Sequence, residues 1–414
     1  MFTHAENNRM LYFFPDAPDW ITINLRYKPI FDLFTGQNSI DVIKAYISRN
    51  YKEEENILIP QVLDLINTSK IFIHNETNKM TEKQFTINNV YLTLTDQCNL
   101  NCIYCYATER AKVSNASLSE WCLYVNKILE VSKECTFVFT GGEPLLVPYV
   151  FELAEYIKQQ KQSSILITNG TQITDIQTAQ RIAHLFQHVR ISLDSIDEQI
   201  SSYLRGKNTL AKVIQATKLL EEAGADYVVM STVCKLNESN IDEFSRYFND
   251  KVHFQPFYQM GKGREFTNLY ITGKEYFDAL SSTSVFKYLQ GFHNSIHSYK
   301  NNPNKRCAMA TEEISISSNG DIYPCHMLHY SDLKLGNLNQ DDLVKLYYES
   351  DKMNELRRVN VDSISQCSTC TFRNICGGAC RARADFALNG IYGHNNFCDF
   401  EKEAILKALM YSFG

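Results

Sequence analysis

No apolar run in the 414 residues approaches the roughly 18–20 that a helix needs to span a bilayer, so no membrane-embedded segment is expected. No block of like charge stands out either. The net charge is −6, with 21% of residues charged and 44% hydrophobic, an ordinary balance for a soluble globular chain. Nothing in it suggests a nucleic-acid or membrane-surface partner. Met1 to Arg9 is polar, with neither an apolar core nor a small-residue cleavage site, so no secretion signal is read there. Internal repeats and low-complexity tracts are also missing.

Cysteine is plentiful. Thirteen are present, most of them in close groups. In a long chain without a secretion signal, such groups indicate metal ligation in a reducing compartment rather than disulfides, and the cytoplasm is the expected location.

Three regions differ in texture. In the first, to about residue 78, Leu11–Phe14 and Trp20–Leu25 predict short strands; Ile21, Ile23 and Leu25 of the second alternate with Thr22 and Asn24. Ser39 is a suitable N-cap for a helix over Ile40–Ile47, a further helix fits Ile57–Ile66, and Lys70–His74 resembles a closing strand. The polar stretch Asn75 to Phe85 reads as a linker.

The second region, 88–265, alternates strand candidates (Val90–Thr95, Thr136–Thr140, Ile165–Thr168, Val189–Leu193, Tyr227–Val233, Val252–Phe257) with helical runs such as Tyr149–Lys158 and Ala211–Ala223. Six β-then-α units predict an α/β fold with a parallel sheet curled into a partial (β/α)6 barrel, function lying at the C-terminal strand ends. Residues 266–306 read as a partly helical connector. From 307 to 414 the chain is short-looped and cysteine-rich, so metal is expected to supply much of its stability.

Cys98, Cys102 and Cys105 follow the first barrel strand at C-x3-C-x2-C spacing. Three thiolates can hold three irons of one [4Fe–4S] cluster and leave the fourth open to a small molecule. A zinc site borrowing a fourth ligand from elsewhere is the alternative. Gly141-Gly142-Glu143-Pro144 follows Thr136–Thr140; its glycines permit close backbone approach, and Glu143 offers a carboxylate to an ammonium. Farther on stand Thr168-Asn169-Gly170, Ser192-Leu193-Asp194 and Tyr203-Leu-Arg205-Gly206. The C-terminal cysteines read Cys307-x12-Gly320-x4-Cys325, then Cys367-x2-Cys370-x5-Cys376-x3-Cys380, then Cys398.

The trio, with Tyr104 before its third cysteine, resembles the radical S-adenosylmethionine (SAM) superfamily, and the resemblance runs along the whole barrel. It implies a SAM-binding [4Fe–4S] cluster on Cys98, Cys102 and Cys105. Gly141, Gly142, Glu143 and Pro144 would hold the methionine amine, Asn169 and Ser192 would line the ribose and methionine side, and Arg205 would pair with the SAM carboxylate. The seven later cysteines resemble the SPASM domain of peptide-modifying members. This implies two auxiliary clusters, one on Cys367, Cys370, Cys376 and Cys398, the other on Cys307, Cys325 and Cys380.

Two departures bear on function. No cysteine lies between Cys234 and Cys307, so the second auxiliary set lacks an obvious fourth thiolate. Its iron would be open, with ligation of a substrate cysteine as one use, or would carry a non-cysteine ligand, or the cluster would be less complete. In SPASM sulfatase maturases an Asp acting as base follows the cysteine of the G-x4-C segment; here His326 occupies that place, as a base or as a packing residue. Cys122, Cys135 and Cys234 are expected to pack in the core.

The first 78 residues resemble the PqqD-type recognition element of peptide maturases, a small winged-helix-like fold that captures a leader peptide as an added strand. A generic winged-helix domain is the alternative. Together the resemblances imply a radical SAM enzyme that modifies a ribosomally made precursor peptide, with its leader on the N-terminal domain and a reductase such as flavodoxin or ferredoxin supplying electrons. A thioether crosslink from a substrate cysteine is the favoured product; carbon–carbon crosslinking or epimerisation, or a non-catalytic leader-binding or electron-transfer protein, are the alternatives.

Overall fold

The computed structural model of the protein describes residues 1–16, 18–69, 85–109, 114–281, 296, 298–299, 303–386 and 390–411. Strands β1 (Phe2–Glu6), β2 (Arg9–Phe14) and β3 (Asp19–Asn24) form an antiparallel sheet in the order β1-β2-β3. Asn7 and Asn8 make the β1–β2 turn, both with positive φ (48° and 63°), the conformation that the tightest hairpins require and that asparagine tolerates. The sequence reading missed β1, because the polar Thr-His-Ala-Glu run gives no burial signal. Helices Ile40–Asn50 and Glu55–Thr68 follow, the first capped by the Ser39 hydroxyl, which accepts from the Val42 amide at 3.4 Å. The expected strand Lys70–His74 and most of the linker after it lie outside the described residues.

This N-terminal unit has two apolar surfaces. Ile43, Ile47, Leu58 and Val62 pack with Ile30 between the helices. On the sheet, Leu11, Phe13 and Trp20 instead pack against Phe372 and Ile375 and against Ile405, Leu409 and Met410 of the C-terminal helix Cys398–Tyr411. The ends of the chain are therefore welded together, and the cysteine-bearing segment around Phe372 is part of the weld.

The barrel strands are β4 (Asn89–Thr93), β5 (Thr136–Thr140), β6 (Ser163–Thr168), β7 (His188–Ser192), β8 (Tyr227–Val233) and β9 (Val252–Pro256), each parallel to the next. All six lie where the alternation of apolar runs and amphipathic helices placed them. The sheet stays open, as a partial barrel does. On its other edge β10 (Glu313–Ile316) joins β4 in parallel, and β11 (Asp321–Tyr323) and β12 (Gly336–Asn337) extend it antiparallel, giving the order β12-β11-β10-β4-β5-β6-β7-β8-β9. The region after residue 307 thus begins inside the barrel sheet rather than as a detached module. Gly273–Ser281 gives the connector its helix. No helix among the described residues is long and apolar enough to cross a membrane.

Candidate functional site

The loop after β4 carries Cys98, Cys102 and Cys105. Cys98 is exposed, and the other two are partly buried. Its shape is held from several sides. The Ile103 amide donates to the Leu204 carbonyl at 3.0 Å, and the Leu100 amide to the Cys98 sulfur at 3.4 Å. Asn169 donates through Nδ2 to Asn99 Oδ1 at 2.9 Å and toward the Cys98 sulfur at 3.8 Å. The backbone at Gly261 passes so close to Cys105 and Tyr106 that a side chain there would collide with them.

Gly141 and Gly142 serve this loop too. The Gly142 amide donates to Thr95 O at 2.7 Å and the Glu143 amide to Gln97 O at 2.9 Å. A Cβ on Gly142 would strike the Gln97 carbonyl, and one on Gly141 the Thr95 carbonyl. Close approach is what these glycines provide, as expected, but to the cysteine loop. Gly142→Ala should cost about 1–3 kcal/mol through backbone displacement and lower bound iron per chain, checked by denaturation and iron assay; unchanged iron would show that the loop tolerates the shift.

Glu143 is fully buried. Its carboxylate accepts from Thr168 Oγ1 (2.7 Å), the Asn169 amide (2.7 Å) and the Leu145 amide (3.1 Å). Burial outweighs these bonds and pushes its pKa up to about 7. Pro144, also buried, opens the short 3-10 turn that Glu143 caps.

Arg205 is buried and committed to Asp194, with Nε to Oδ2 at 2.7 Å and Nη2 to Oδ1 at 2.9 Å. Tyr104 also donates to Asp194, and the Thr232 amide reaches Oδ1 at 2.9 Å. The guanidinium lies 5.5 Å from the centre of the Tyr104 ring, and its charge acts on Cys102, whose thiol burial raises to about 11. The forked pair with Asp194 ties helix Glu198–Arg205 and β8 to the Cys102–Cys105 segment, so two of the donors expected to reach a ligand carboxylate have a protein carboxylate instead. Asp194 was visible only as the end of a strand motif. Its importance comes from partners on separate elements. Ser192 ends β7, half-buried and paired with Met230 of β8.

The barrel, residues 92–248, matches the family model of the radical SAM superfamily, and residues 307–371 match that of SPASM, an iron–sulfur cluster-binding domain. The chain carries a radical SAM domain followed by a SPASM domain. Similar proteins include an AdoMet-dependent heme synthase of Methanosarcina barkeri, 25% identical over 72% of this chain and 92% of its own length. A cysteine-type anaerobic sulfatase-maturating enzyme of Clostridium perfringens is 25% identical over 74% and 92%. Among solved structures, anSMEcpe with bound AdoMet and the Kp18Cys peptide superposes with TM-score 0.66 at 23% identity, covering 78% of this chain and 97% of that one. Streptococcus suis SuiB bound to precursor peptide SuiA gives TM-score 0.60 at 15% identity, covering 95% and 99%. These two show the shared fold.

A radical SAM domain binds SAM and one [4Fe–4S] cluster, and the SPASM module binds auxiliary iron–sulfur clusters. The side chains present fit both. Among the described residues, the one group of three possible ligands with its atoms within 4.8 Å of one another is Glu313, Cys325 and His326. None of the cysteine sets is drawn in around a single ion as a tetrahedral zinc site would be. The SPASM cysteines fall into two neighbourhoods. Cys367, Cys370, Cys376 and Cys398 interact electrostatically with one another. Cys307, Cys325 and Cys380 do likewise, with burial raising Cys307 to about 11. Cys135 and Cys234 are buried and Cys122 half-buried, as packing residues would be.

Proposed function

We propose that the protein is a radical SAM peptide maturase that introduces a crosslink into a ribosomally made precursor peptide. One observation carries the reading. The 25%-identical relatives match 72–74% of the chain, whereas the fold match to SuiB, a structure solved with its precursor peptide, covers 95%. Leu25, Ile40, Val42 and Ile57 of the N-terminal unit are exposed apolar side chains. Exposed apolar side chains of this kind suit capture of an extended leader, as a PqqD-type element would bind it.

In this reading Cys98, Cys102 and Cys105 hold the SAM-binding cluster. When bound, it supplies the electron for reductive cleavage of SAM, originating from a reductase such as flavodoxin or ferredoxin in the cytoplasm. Glu143 takes the methionine ammonium of SAM in a buried cradle and Pro144 fixes its turn. Asn169 orients Cys98 through the Asn99 bond, and with Ser192 stands on the strand ends that face the ligand. Tyr104 and Arg205 hold the cysteine loop against the barrel through Asp194. Cys367, Cys370, Cys376 and Cys398, and Cys307, Cys325 and Cys380, would hold two auxiliary clusters, which would supply acceptors for the electron left after crosslinking. The thioether expectation drew on an open auxiliary iron; a buried carboxylate stands beside that set, so the bond type is left to the product.

Incubating the reconstituted protein with SAM, a reductant and the peptide encoded beside its gene tests the reading. Loss of two hydrogens from the peptide supports a crosslink, and a count of alkylatable thiols separates thioether from carbon–carbon products. An unchanged peptide mass beside formed 5′-deoxyadenosine leaves epimerisation, and no 5′-deoxyadenosine removes the enzymatic reading. Ile57→Glu combined with Val42→Glu should weaken leader binding at least tenfold in a titration while leaving peptide-free SAM cleavage unchanged. Equal affinity would remove the N-terminal unit from recognition.

A further inference from the structure

The segment between Cys307 and β10 is folded back on itself. The Ala308 carbonyl accepts from the amides of Thr311, Glu312 and Glu313 at 3.1, 3.0 and 3.0 Å. Ala310 has φ +57°, a left-handed conformation uncommon for a residue with a Cβ. The Ala310 amide reaches the carbonyls of Glu313 and Pro324, both at 3.0 Å. Two long side chains clamp the turn from outside: Arg357 Nε donates to Ala310 O at 2.9 Å and Tyr347 OH to Thr311 O at 2.6 Å. Strain held this firmly is a feature of ligand clamps. Its effect is to return Glu313 to the neighbourhood of Cys307.

Glu313 sits at the start of β10, largely buried, and its charge acts on both Cys307 and Cys325. Its Oε1 is 2.9 Å from His326 Nδ1 and accepts from the His326 amide at 3.4 Å, and the Cys325 sulfur lies within 4.8 Å of the same carboxylate. The His326 ring stacks on Tyr91 of β4, centroids 4.0 Å apart and planes 15° from parallel. A thiol this close to a carboxylate is the protonated counterpart of a thiolate and a carboxylate sharing a metal.

We infer that Glu313 is the fourth protein ligand of the auxiliary cluster on Cys307, Cys325 and Cys380. The inference rests on those three cysteines holding one cluster, as proposed above. As iron binds, the three thiols release their protons and the carboxylate takes the remaining iron. A carboxylate brings the same charge as the thiolate that is missing, whereas a neutral imidazole would leave the cluster one negative charge short. Ligation through His326 Nδ1 would also break the contact with Glu313. His326, the residue considered as a base, becomes a positioning residue that orients the ligating carboxylate, and Tyr91 orients His326.

The test uses the full chain reconstituted anaerobically with 57Fe, in a Cys98→Ala/Cys102→Ala/Cys105→Ala background that leaves only the auxiliary clusters visible. Mössbauer spectra should show one iron distinct from its cysteine-ligated neighbours. Glu313→Cys should keep the cluster, remove that distinct iron and shift the midpoint potential negative, because thiolate is the stronger electron donor. Glu313→Ala should convert the cluster to a three-iron form on mild oxidation. His326→Ala should retain the distinct iron. Glu313 variants with unchanged spectra and potential would overturn the inference, as would loss of the distinct iron, or of a nitrogen coupling in pulsed EPR, in His326→Ala alone. Metal analysis finding one zinc in place of this cluster would overturn it too. Iron content unaffected by Cys325→Ala would instead remove the cluster assignment on which the inference stands.

Discussion

Asp194→Ala is expected to lower stability by about 3–5 kcal/mol, the usual cost of removing one partner from a buried ion pair. The Asp194 side chain is fully buried and that of Arg205 is 8% exposed. Removing the carboxylate leaves the guanidinium uncompensated, and also orphans the Tyr104 hydroxyl and the Thr232 amide. The damage should reach the cofactor, since Tyr104 lies between Cys102 and Cys105 and Arg205 beside Cys102. Urea denaturation and iron content after reconstitution measure the two effects. Arg205→Lys should lose less stability but still lose iron, because an ammonium cannot reproduce the two-pronged contact. Normal iron in both variants would show that the pair is not what shapes the loop.

Glu143→Gln is expected to weaken SAM binding by about 10–100-fold, the loss of a charge-assisted contact worth roughly 1.5–3 kcal/mol. It should also flatten the pH dependence. The sign follows from the raised pKa. In the free protein Glu143 takes up a proton as pH falls through about 7, whereas the unfolded chain does so near 4.5. Burial of the ionised form therefore costs the folded protein stability progressively as pH rises from 4.5 to 7, of order 3 kcal/mol in full. An ammonium in the cradle offsets that cost. Affinity for SAM should accordingly rise with pH, by up to about tenfold per unit, and level off above 7. Calorimetric titration between pH 5.5 and 7.5 tests this, and equal slopes for wild type and Glu143→Gln would place the titrating group elsewhere.

The barrel was legible because most of its strands bury alternate residues and its helices one face, which writes a periodic signal into local sequence. Thr136–Thr140 and Tyr227–Val233 have the same bounds in sequence and structure. Strands β10 to β12 were not legible. They span four, three and two residues, too few for a period, and β10, which joins them to the barrel, pairs with β4 more than 200 residues earlier. The site divides the same way. Glu143 was readable as part of a motif, and the later cysteines as two sets through their resemblance to the SPASM pattern. Asp194 and Glu313 were not singled out. Each acts through side chains gathered from distant segments, and an isolated acidic residue in a strand-forming stretch carries no local mark of that.

The parallel pairing of β4 with β10 sets a ruler inside the molecule. Glu313 stands opposite Asn89, while the loop with Cys98 leaves the other end of β4 after Thr93. Four strand residues separate those levels, about 13 Å at 3.3 Å per residue. The spacing between Glu313 and the base of the Cys98 loop is thus counted in residues of a hydrogen-bonded ladder. It can change only in whole steps. A one-residue insertion in β4 would lengthen the gap by one rise and turn Tyr91 away from His326, since alternate residues face opposite sides of the sheet.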